Sequence, residues 1–166
     1  MLGEYLSYAG TDGAACEPVR ALTGTMDKAL GVFENYMTDS GLIGPTPYWS
    51  FVDWVPGWQV GVPDGGREEP LTVTCLMYAA ALRAGAEICR TLGRAERAAE
   101  YERRAAAMID RVNALCYDAD AGLYRNTPSR REFSQHTTLW AVLSGAVRGE
   151  KAGALVDRTF DGHVPV

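Results

Sequence analysis

Two long apolar stripes at helical spacing flank the short link TLGRAE, and that juxtaposition limits the possible folds more than any other feature. The first stripe opens after Pro70, which suits a first-turn position. It runs through Leu71, Cys75, Tyr78, Ala79, Leu82, Ala86 and Cys89 to Leu92, and Gly93 closes it. The second uses Ala98, Tyr101, Ala105, Ile109, Val112 and Leu115. A link of so few residues forces the second helix back alongside the first, so residues 70–116 read as an antiparallel helical hairpin. Alanines along the inner stripes let the two backbones approach closely.

The same periodicity recurs on both sides. Val19, Leu22, Met26, Leu30, Phe33 and Met37 form one stripe over residues 14–37, which stops at Thr38-Asp39-Ser40-Gly41. Another helix is expected from Ser134, as N-cap, to about Val147, and a shorter one over 151–160. No alternating run is long enough to predict a substantial sheet. The fold class is therefore all-α, with four to five helices.

A net charge of −5, with arginines interleaved with glutamates between residues 90 and 104, predicts solvated helix faces rather than a nucleic-acid surface. No apolar run reaches the ~20 residues that cross a bilayer, so no membrane partner is expected. The segment MLGEYLSYAG carries Glu4 and no basic stretch, unlike a signal peptide. Cys16, Cys75, Cys89 and Cys116 form no CxxC pair, which argues against zinc. Cys75 and Cys89 lie four turns apart on one helix, beyond disulfide reach. Buried free thiols and a reducing, cytoplasmic compartment are the expectation, with no metal and no cofactor.

The long connections carry the chemistry. Residues 38–69, rich in proline and glycine, contain YWSFVDWVPGW with three of the chain's four tryptophans. A loop of that length in a helical protein is functional or disordered, and its aromatic content opposes disorder. Trp49, Asp53, Trp54 and Trp58, with Tyr48 and Phe51, supply flat faces for sugar C–H stacking and a carboxylate for hydroxyls. The same residues could equally plug the loop onto the helices. Ser134-Gln135-His136-Thr137 opens a helix where unpaired N–H groups and the Gln135 and His136 side chains could hold a hydroxylated ligand; a cap and a buried histidine are the plainer reading. Asp64, Glu68 and Glu69 read first as acids complementing a helix dipole. Asp118, Asp120 and Gly122 read as a turn, since most ligand positions of a calcium loop are missing. His163 is expected to be exposed.

Taken in order, YWSFVDW, the hairpin LMYAAALRAGAEICRTLGRAERAAEYERRAAAMIDRVNALCYDADAGLY and SQHTTLWAVLSG resemble the catalytic domain of bacterial α-L-rhamnosidases. The similarity spans about residues 5–160. These are six-hairpin glycosidases built on an (α/α)6 barrel, so the resemblance implies that residues 1–166 are an incomplete α/α toroid with 38–69 at the active-site mouth. It implies Asp53 as a binder of sugar hydroxyls, Trp54 or Trp58 as a wall of the terminal-sugar subsite, Trp49 beside them, and Gln135 and His136 near the same mouth. Family members invert, using two carboxyl groups ~6.5–9.5 Å apart. The family's DERxGWxGD-type acid motif does not occur in this sequence, and its base is expected beyond the residues given. The expectation is a carbohydrate-binding fragment of a glycoside hydrolase without the complete catalytic pair, with self-association through uncovered apolar faces. The alternatives are a helical-hairpin interaction module and another six-hairpin glycosidase or phosphorylase.

Overall fold

The computed structural model describes residues 2–160, so His163 lies outside the described residues. Six α-helices follow in order: α1 (Leu2–Ala9), α2 (Gly13–Val32), α3 (Thr72–Thr91), α4 (Ala95–Cys116), α5 (Gln135–Leu143) and α6 (Glu150–Phe160). They pair as consecutive hairpins, and α3 packs on α4, α5, α1 and α2. The expected hairpin is α3–α4, turned by Gly93 at φ +74° where a side chain would be strained. Its seam is built from Cys75, Leu76, Ala79, Leu82, Ala86, Cys89, Ala98, Tyr101, Ala105, Met108 and Val112, all buried. Each buried leucine there contributes ~1.5–3 kcal/mol of apolar transfer. Gly85 lets three helices meet: a Cβ there would stand 3.1 Å from Leu30 and 3.3 Å from Tyr101.

Several expectations need correction. Among the described residues there are six helices rather than four or five, the addition being α1. Two turns are too short to hold by propensity, and α1 is fixed by Leu6 packing with Cys16, Val19, Ile88 and Leu92. Helix α2 ends at Val32, and a 3₁₀ turn, Phe33–Tyr36, carries the chain on. Leu22 and Met37 are 47% and 42% exposed, so the buried stripe of α2 runs instead through Cys16, Val19 and Leu30, with Met26 partly buried beside them. Pro70 precedes α3, whose cap is Leu71, rather than standing in its first turn. Helix α5 stops at Leu143, four residues early, because Gly145 turns the chain at φ +76°.

The two long connections lie at the same end of the hairpins. Residues 38–71 are anchored at their start by fully buried Leu42 and Ile43, whose backbone N–H meets Cys75 Sγ at 3.3 Å. Val62, Leu71 and Val73 anchor the other end. The second connection forms a small hairpin, β1 (Tyr117–Asp118) against β2 (Leu123–Tyr124). Asp118 closes its turn by accepting from Ala121 N and Arg131 Nε, so this aspartate does the work of a turn residue. All four cysteines are buried and free. Among the described residues no helix is long and apolar enough to cross a membrane.

Candidate functional site

Helix α5 presents the first half of the site. Ser134 caps it as expected, Oγ accepting from Thr137 N at 3.2 Å, an interaction worth ~1 kcal/mol. A buried residue that sequence reasoning missed holds this cap in place. Asn126 Oδ1 accepts from Ser134 Oγ at 2.7 Å and from Thr137 Oγ1 at 2.8 Å. The Asn126 carbonyl also accepts from Thr72 N at 2.9 Å, joining the start of α5 to the start of α3. The only local signal was a polar residue between two turns, and its partners are eight or more positions away. His136 therefore projects from a fixed helix start.

The aromatic loop presents the second half. Val52 N and Asp53 N both donate to Gly61 O, at 2.9 and 3.3 Å, which closes residues 52–61 into a compact loop. Asp53 faces α5 across it: His136 Nε2 and Asp53 Oδ2 are 2.9 Å apart. Trp54 N donates to Asp53 Oδ1 at 2.7 Å. The His136 bond first, and then the Trp54 N–H, hold the Asp53 carboxyl below its ordinary range. An ionised Asp53 accepts only, so the shared proton sits on Nε2. Nδ1 of His136 is buried without a hydrogen-bond partner among the described residues. Trp58 packs on the imidazole, ring centroids 5.5 Å apart.

The remaining aromatics form a neighbouring group. Trp49, Phe51 and Trp54 make a tilted triad with centroids 5.0–6.1 Å apart. Trp49 Nε1 donates to Val60 O at 2.9 Å, yet Trp49 and Trp54 remain 64% and 70% exposed. A loop plug would bury these rings, so the plug reading fails for both of them. The structure thus brings Asp53, His136 and Trp58 together, with Trp49 and Trp54 beside them. Gln135 is half-buried at the first position of α5, and its side chain makes no hydrogen bond among the described residues.

Of the three acids before α3, only Glu69 is engaged among the described residues. Glu69 accepts from Ser129 N and Ser129 Oγ at 3.0 and 2.6 Å, and Arg130 lies 3.8 Å away. It clamps the two long loops to each other. Asp64 and Glu68 are exposed on the same loop.

No protein-family model and no curated protein matches the sequence. Solved structures do. A GH78 family rhamnosidase of Bacillus sp. GL1 superposes with a TM-score of 0.75 at 22% identity, over 93% of this chain and 16% of that one. A rhamnosidase from Klebsiella oxytoca with rhamnose bound gives a TM-score of 0.75 at 18% identity, over 95% of this chain and 28% of that one. The chain thus spans well under a third of either protein, and across nearly all its own length it has the all-α fold of a part of these two rhamnosidases, an incomplete α/α toroid.

Proposed function

We propose that the chain is a segment of an inverting α-L-rhamnosidase-like glycoside hydrolase of bacterial carbohydrate metabolism, and that residues 38–69 form one wall of its active-site mouth. The observation that carries this reading is the meeting of Asp53 and Trp58, from the loop, with His136, at a helix start 83 positions beyond Asp53. Asp53 accepts from sugar hydroxyls, Trp58 or Trp54 stacks on the ring, Trp49 extends the apolar platform, and Gln135 adds a donor and an acceptor. Asp53 is unsuited to be the general acid. That role needs a raised pKa, and the His136 contact lowers this one. The acid and base of the reaction belong to other parts of such a hydrolase.

The neighbouring folds support the sugar class, since both are rhamnosidases and one holds rhamnose. Titrating the chain with L-rhamnose while following tryptophan fluorescence tests the proposal. A saturable change is expected; a protein-interaction module would give none.

A further inference from the structure

A cleft of about 580 Å³ lies between α6 and the β1–β2 hairpin, outside the Asp53 site. Its walls include Arg148, Lys151 and Arg158 on one side and Asn113, Tyr117 and Tyr124 on the other. Among the described residues no acidic side chain lines it. We infer that this cleft binds a small ligand carrying a tetrahedral oxyanion, a phosphate or sulfate ester, on a ring. The inference does not rest on the rhamnosidase reading.

Arg20, Arg90, Arg94, Arg97, Arg104, Arg130 and Arg131 all engage carboxylates. Lys151 and Arg158 make no ion pair or hydrogen bond among the described residues, and Arg148 uses only Nε, on Gly145 O at 3.2 Å. Three cations with no carboxylate partner among the described residues line one cleft in a chain of net charge −5. Like charges so placed repel, and a bound dianion removes that repulsion while accepting their N–H groups.

The walls are also shaped for a ligand. Lys151, Leu155 and Arg158 recur at steps of four and three, so α6 turns one face to the cleft. The Arg158 side chain crosses the hairpin turn at Gly122, its Cδ and Nε 3.4 Å from where a Cβ would stand. Gly122 has φ +66°, so the turn favours the residue that leaves this passage open. Tyr124 O–H donates to Asn113 Oδ1 at 2.6 Å, leaving the Asn113 amide N–H groups free to donate. Tyr117 is 42% exposed and propped by the Tyr124 ring at 5.1 Å, a flat face for a ring to rest on. The volume falls within the ~300–1,000 Å³ of small-molecule sites.

Calorimetric titration of the whole chain at low salt tests this with inorganic phosphate, inorganic sulfate, glucose 6-phosphate, glucose 6-sulfate and neutral glucose. Both classes of oxyanion should bind saturably, the esters more tightly than the free ions, and glucose should give no heat in this cleft. A preference between the esters identifies the source of the anion. Arg158→Gln and Lys151→Gln should each weaken binding by about tenfold, as loss of one charge-assisted contact does. Tyr117→Ala should weaken the esters and spare the free ions, while Arg103→Gln on α4 changes nothing. Circular dichroism confirms that each variant folds, and the lysine variant keeps the test open if the arginine variant does not. Absence of saturable heat with any oxyanion, or full binding retained in both cation variants, overturns the inference.

Discussion

Asp27 and Asp53 are both held below the ordinary carboxylate range, but for different reasons. Asp53 is exposed and owes its shift to His136 and the Trp54 N–H. For Asp27 burial works the other way, and hydrogen bonds from Arg94 Nη2 at 2.7 Å and Tyr101 O–H at 2.6 Å outweigh it. A carboxyl lowered in the folded state stabilises the protein above its unfolded pKa of ~4, and that contribution is lost as pH falls through the folded value. Asp27→Asn should therefore cost ~1–3 kcal/mol at neutral pH, with the gap to the parent closing on acidification. Urea unfolding at several pH values measures this, and a gap that does not vary with pH would count against it. The buried, unpaired state of all four cysteines was legible from spacing. The role of Asp27 was not, since its partners lie 67 and 74 positions away and only packing brings them near.

At the scale of elements, periodicity and cap chemistry act locally, which is why the α3–α4 hairpin and the Ser134 cap could be read from sequence. Helix α1 and the exposure of Leu22 depend on neighbours, which periodicity does not report. The site loop shows the same division. Its content of Asp53 and tryptophans was legible, but its closure was not, because that depends on a left-handed turn at Val60–Gly61. Val60 has φ +48°, a costly conformation for a β-branched residue, in a tight turn between the bridged residues Gln59 and Val62. Asparagine tolerates this conformation and retains the carbonyl that receives Trp49 Nε1. Val60→Asn should stabilise the chain by about 1 kcal/mol. Thermal unfolding reads this directly, and a lower midpoint would show that the Val60 side chain contributes more than its backbone strain costs.

At the scale of the whole molecule, the hairpins form an incomplete α/α toroid with apolar side chains exposed on several helices. Leu22 on α2, Met77 on α3 and Leu143 on α5 are 47%, 44% and 68% exposed. A groove of about 380 Å³ between the end of α2, residues 46–51 and α3 is walled by Phe33, Tyr36, Trp49 and Met77. Surfaces of this kind favour association. Light scattering should show mass rising with concentration, reduced by Leu143→Arg; a monomer at all concentrations would contradict the expectation. The hairpins bring the two long loops to one end, where Glu69 ties them together, Asn126 holds the start of α5, and Asp53 meets His136. That pair is proposed to receive a sugar. The most direct measurement is the L-rhamnose titration repeated with Asp53→Asn, which keeps the acceptor for Trp54 N but removes the charge. Saturable binding by the parent chain and about tenfold weaker binding by the variant are expected, the loss of a hydrogen bond to a charged group. Equal affinity in the two chains, or no binding by the parent, would contradict it.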